Sequence, residues 1–159
     1  MATAMSASGT LGAQVTRDND ASSFFASGTD TSVSWESEVR DDGGLWSAGS
    51  PTLFTLPVDG WWSVGGQIHY SGNASGSGHF RFATTIQRVS GPVNLARSQA
   101  FHTLSGEEYM QQVHTRHYFN AGDQVRLRGY QDTGSAMSLL TALNLASNHF
   151  YAFYEGPAA

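Results

Sequence analysis

The sequence predicts an all-β domain, an antiparallel sandwich of two sheets, and three observations predict it. Apolar and polar residues alternate with a period of two over one run after another. Turn chemistry, Gly beside Asp, Asn, Pro or Ser, interrupts those runs about every 8–12 residues. Aromatic residues make up 12% of the chain, charged residues only 13%, and there are 18 glycines. That balance suits short pleated strands and tight turns.

Residues 1–10 are small and polar and are expected to form an arm ahead of a jelly-roll domain over residues 11–159. They carry neither the basic n-region nor the apolar h-region of a signal peptide, so a secretory leader is not expected. Residues 11–17 alternate as a first strand, and Asp18-Asn19-Asp20 follows as a polar loop. Residues 31–38 read as a second strand, with Val33 and Trp35 on one side and Glu36 and Glu38 on the other. Asp41-Asp42-Gly43-Gly44 reads as a turn, and Leu45, Trp46 and residues 53–56 lead to a second turn at Pro57-Val58-Asp59-Gly60.

The stretch 53–70, LFTLPVDGWWSVGGQIHY, is the centre of the pattern. After the turn, Trp62, Val64, Gly66, Ile68 and Tyr70 share the side expected to face a core. Trp61, Ser63, Gly65, Gln67 and His69 share the other, which is too aromatic for a solvated face and is expected to meet another subunit. Residues 71–78, SGNASGSG, form a loop by composition. Asn73-Ala74-Ser75 has the form of a glycosylation acceptor but lacks the secretory signal such a use requires.

Residues 79–88 alternate strongly, Phe80, Phe82, Thr84 and Ile86 against Arg81, Ala83, Thr85 and Gln87. Two more strands follow over 93–103 and 109–119, with Ser105-Gly106-Glu107-Glu108 between them. Asn120-Ala121-Gly122-Asp123 turns the chain into 124–131, where Val125 and Leu127 point inward and Arg126 and Arg128 outward. Residues 148–155 close the chain as an aromatic strand. About eight to ten strands with this spacing fit a sandwich or jelly roll.

Composition also removes function classes. With no cysteine there is no disulfide framework and no thiolate metal site. All eight basic residues are arginine, which excludes a Schiff-base lysine and a phosphate-loop lysine. No apolar run approaches the ~18 residues of a membrane helix, and a net charge of -5 argues against a nucleic-acid partner. His114 and His117 lie three apart on a strand and so point to opposite faces, which prevents them from sharing one metal ion. Copies of His69 or His114 around a symmetry axis are the alternative metal or pH-sensing arrangement, and Asp41 with Asp42 is the alternative calcium site. Surface hydrogen bonding outweighs both, and neither a metal nor a cofactor is expected. The acidic pairs Glu36/Glu38 and Glu107/Glu108 lack the cleft that acid–base catalysis needs, and no Gly-x-Ser-x-Gly elbow is present. An enzyme is not expected.

Three segments taken in order, LFTLPVDGWWSV, FNAGDQVRLRGYQDTG and HFYAFYEG, resemble the trimeric jelly roll of the complement component 1q globular head and the tumour necrosis factor superfamily. The likeness extends over residues 32–156; Ala152 stands where that family usually has glycine, and its disulfide and collagen stalk are missing. Stand-alone domains of this kind look like those of bacteriophage virion proteins. The resemblance implies a homotrimer in which one sheet turns its outer face to a three-fold axis. Matched strand by strand, it places Trp61, Gln67, His69, Gln112, His114, Arg116, Tyr118, Phe150, Ala152 and Tyr154 at that interface. The expected role is a structural virion protein assembled in the host cytoplasm, a capsid decoration or head-fibre protein that binds a major capsid or tail protein through residues 1–10. The alternative is a receptor- or glycan-binding tip that meets a host surface through residues 71–78 and 129–138.

Overall fold

The structure, a computed structural model, describes residues 11–17, 24–71, 80–102, 108–140 and 148–158. The described strands, in chain order, are β1 (Gly12–Thr16), β2 (Phe24–Phe25), β3 (Thr31–Ser32), β4 (Ser37–Asp42), β5 (Phe54–Thr55), β6 (Gly60–Tyr70), β7 (Phe80–Arg88), β8 (Val93–His102), β9 (Tyr109–Phe119), β10 (Gln124–Gln131), β11 (Met137–Ser138) and β12 (His149–Gly156). One five-stranded sheet runs β4-β1-β12-β6-β9. The other runs β3-β10-β7-β8, with β5 also paired to β10, and the short β11–β2 pair closes one end. Every pairing is antiparallel.

The strong alternations fold as they read. Trp62, Val64, Ile68 and Tyr70 of β6 are fully buried, as are Ile86, Val125 and Leu127 from the facing sheet. Between the sheets Phe150 stacks on Phe54 at 4.6 Å and on Trp35 at 5.9 Å. Burying aromatic side chains of this size stabilises the fold by about 1.5–3 kcal/mol each. Two predicted turns also interlock. The Asp59 carboxylate accepts the Ala121 N–H at 2.6 Å, while Leu56 and the 120–123 turn exchange backbone bonds: Leu56 N–H to Asp123 O, 2.9 Å, and Gly122 N–H to Leu56 O, 2.7 Å.

The expected strand over 31–38 is not one strand. Thr31 and Ser32 pair with β10, and the chain then crosses to the other sheet before β4 begins at Ser37. Across the gap Val33 N–H bonds Leu127 O, Trp35 N–H bonds Pro51 O and Glu36 N–H bonds Thr16 O. Val33 and Trp35 point inward throughout, because both sheets look onto the same core. The alternation therefore survived a change of sheet. Asp41 and Asp42, expected in a turn, are the last two residues of β4, and the turn falls at the glycines after them. Residues 1–10, 72–79 and 103–107 lie outside the described residues, and with them the arm, the Asn73 acceptor, most of the loop 71–78 and Glu107.

Candidate functional site

Strand partners in register present their side chains on the same face, so the buried side of β6 determines which side of its neighbours lies outside. The outer face of the five-stranded sheet is built from Trp61, Ser63, Gly65, Gln67 and His69 of β6 together with their partners. On β9 these are Tyr118, Arg116, His114, Gln112 and Met110; on β12 they are His149 opposite Gln67, Tyr151 opposite Gly65 and Phe153 opposite Ser63. His149, Tyr151 and Phe153 form a continuous stack, with centroids 6.3 Å and then 5.4 Å apart and ring planes within 17° and 21°. Each such contact contributes about 0.5–1.5 kcal/mol beyond buried area.

Glycines in the flanking strands give those rings their seat. A Cβ on Gly65 would fall 2.4 Å from the Tyr151 hydroxyl, and one on Gly12 would fall 2.3 Å from the Phe153 ring. Both rings therefore lean across the neighbouring strands, Tyr151 over Gly65 and Phe153 over Gly12. Partial burial pushes the Tyr151 phenol above its ordinary pKa. Arg40 reaches the Phe153 ring at 5.8 Å from one side. From the other, Arg116 lies 4.4 Å over Trp61 and pairs with Glu155, and Trp61 meets Tyr118 edge-on at 5.8 Å. A half-open hollow of about 110 Å3 lies beside Tyr151, lined by Gln112, His114 and His149.

Several polar residues of this face bond one another. Ser63 Oγ and His114 Nε2 are 3.1 Å apart, Gln112 donates to Gln67, and Gln67 Nε2 lies 3.5 Å from Met110 Sδ. His69 Nε2 sits 3.4 Å from the Glu108 carboxylate. Long side chains cover Gln67 and His69, so both are buried despite belonging to the outward set; Gln112, His114 and Arg116 are exposed, and Trp61 and Tyr118 half-buried.

Three sequence assignments are overturned here. Phe150 and Ala152 are fully buried, and Tyr154 packs against the core on Trp62 at 5.3 Å. Ala152 is in register with Val64 and Ala13, both inward, so the whole of β12 is turned over relative to expectation. The residues that sequence reasoning missed are His149, Tyr151 and Phe153. Their signal was the small residues opposite them, Gly65 and Gly12, which leave room for the rings.

The acidic groups raised as alternatives are engaged elsewhere. Asp41 accepts the Leu45 and Trp46 N–H groups at 2.8 and 3.0 Å, Asp42 pairs with Arg40, and Glu36 pairs with buried Arg17 at 2.9 Å. The loop after β10 is cinched by buried Gln131, which donates to Phe25 O and Ser135 O and accepts from Thr133.

No protein-family model and no curated protein matches this chain. Among solved structures, the globular domain of zebrafish complement 1qA protein superposes with a TM-score of 0.62, over 93% of this chain and 99% of that one, at 12% identity. The fold is thus the jelly-roll sandwich of the complement component 1q and tumour necrosis factor type.

Proposed function

We propose that this domain is a non-enzymatic assembly module that forms a homotrimer through the outer face of its five-stranded sheet. In this reading it serves a virion as a capsid decoration or head-fibre protein, with residues 1–10 attaching it to the shell. The observation that carries the reading is the His149–Tyr151–Phe153 stack, seated against Gly65 and Gly12. Aromatic and arginine side chains in that setting are the groups that anchor protein interfaces.

The dimensions support it. Five strands at about 4.8 Å spacing make a face about 19 Å wide, and β6 and β9 extend it about 35 Å. That projection, roughly 650 Å2, approaches the ~800 Å2 per partner of a stable interface before side-chain relief is added. A closed three-fold ring uses such a face without leaving an open edge for further growth. The virion setting is supported by the resemblance to stand-alone phage domains and by a cysteine-free chain that needs no oxidising compartment to fold.

Light scattering at micromolar concentration is expected to return three times 17.1 kDa. Tyr151→Ser with Phe153→Ser is expected to return one chain that still unfolds cooperatively. A native protein with the mass of a single chain would end the proposal. For the virion role, deleting residues 1–10 should abolish binding to purified shells and leave the trimer whole; undiminished binding would remove the arm from the mechanism.

A further inference from the structure

The other sheet has an outer face of opposite chemistry. In-register rows across β10, β7 and β8 are Arg128–Thr85–Arg97 and Tyr130–Ala83–Gln99, with Arg126 on Gln87 and Arg81 on Phe101 at either end. Four of the eight arginines thus share one face of a chain whose net charge is -5. Arg81 and Arg97 flank the Tyr130 ring at 4.6 and 5.5 Å, and their carboxylate partners are Asp132 and Asp30, at 3.4 and 3.6 Å. Among the described residues, no ion pair joins Arg126 or Arg128 to a carboxylate. Gln87 Oε1 fixes Arg126 with two bonds, at 2.9 and 2.6 Å, and Asp30 O accepts from Arg128 at 2.9 Å. Burial first, and the charge of Arg128 second, hold Arg126 below its ordinary pKa. Two fixed, partly desolvated cations repelling each other are stabilised by any anion that bridges them.

We propose that this face binds an acidic glycan, its carboxylate or sulfate groups taken by Arg126, Arg128 and Arg97 and a sugar ring laid on Phe101. Phe101 is 65% exposed and lies on the same face of β8 as Arg97, four residues on, about 13 Å along the strand. Arg126 and Arg128 stand about 7 Å apart, and Arg97 about 10 Å from Arg128 across two strand spacings. A polymer with one charge per sugar or two matches that spacing. Duplex DNA, with a charge about every 1.7 Å, sets its phosphates far more densely than these arginines stand. The site is on the opposite side of the molecule from the aromatic stack and does not depend on trimer formation. It also places glycan contact on a sheet face and not on the end loops.

Calorimetric titration of the full chain tests this with a size-defined heparin oligosaccharide, an oligosialic acid, a neutral dextran oligosaccharide and a short DNA duplex. Binding of an acidic saccharide but not dextran, weakened by added salt, is expected. Arg126→Gln with Arg128→Gln should lower affinity about tenfold or more, and Phe101→Ser, at an exposed site that leaves the core alone, should lower it several-fold. The assignment is overturned if the native chain binds neither acidic saccharide, if binding survives both sets of substitutions, or if DNA binds more tightly than the saccharides. The same titration on the Tyr151→Ser/Phe153→Ser chain should give unchanged affinity per chain, so this site and the trimer can fail separately.

Discussion

Gly65 and Gly12 seat neighbouring rings, but their surroundings predict different costs for the same added methyl group. At Gly65 the obstacle is the hydroxyl end of Tyr151, which can swing aside; at Gly12 it also includes the Ala152 carbonyl, 2.6 Å from the added atom. Gly12→Ala is therefore expected to destabilise the fold by about 1–3 kcal/mol. Gly65→Ala should stay within about 0.5 kcal/mol and weaken self-association instead. Denaturant midpoints alongside light scattering separate the two, and equal midpoints would show that the backbone at Ala152 yields. Tyr70 carries a pH prediction. Burial pushes its phenol above the usual range, and the bond that its hydroxyl donates to Ala83 O at 2.8 Å favours the protonated form as well. The unfolded chain ionises near pH 10 while the native phenol stays protonated, so the unfolded state binds fewer protons there. Stability is then complete below about pH 10 and falls above it by about 1.4 kcal/mol per pH unit for this group. Burial raises Tyr109 and Tyr151 in the same direction. Urea midpoints at about pH 9 and about pH 11 should converge in Tyr70→Phe relative to the native chain; an unaltered slope would assign the effect elsewhere.

Among the elements, β12 depends most on what precedes it. Asn148 is fully buried; its side chain accepts the His69 N–H at 2.7 Å and donates to Leu140 O at 2.8 Å, and its carbonyl accepts Arg17 N–H at 3.2 Å. One residue thus ties the ends of β1 and β6 to the segment after β11. Asn148→Ala leaves the buried His69 N–H without its partner, at about 1–3 kcal/mol. Faster amide exchange at His69 should accompany the loss; unchanged exchange there would mean that the strand ends hold without the clamp. The same strand was the least legible in sequence. HFYAFYEG carries aromatic residues on both sides, so alternation marks a strand without marking its inner face. In β6 and β10 one side is plainly the more apolar, and that is the side the fold buries. The run 31–38 misled differently, because its inward residues stay inward while the backbone changes sheets.

At the scale of the molecule the sandwich has two outer faces of different chemistry. The first is aromatic and internally hydrogen-bonded, and the second holds four arginines against two carboxylates among the described residues. Salt should therefore act on them unequally. Raising it is expected to leave the proposed trimer intact, since apolar burial is strengthened or unaffected by added salt, and to strip the acidic glycan proposed for the second sheet by screening. A trimer that dissociates in the same salt range would point to Arg116 with Glu155, and not the ring stack, as the basis of association.

Composition and two-residue periodicity alone determined the all-β class, the inner faces of β6 and β10, and the absence of lysine and thiolate chemistry. Those are local properties, carried by a residue and its near neighbours. The tertiary structure decided which side of β12 faces out, where the chain crosses between sheets, and that arginines from three strands gather on one face. Each of these is set by cross-strand register, a hydrogen-bonded match between segments far apart in the chain, and a one-residue shift in it turns every side chain of a strand to the other side.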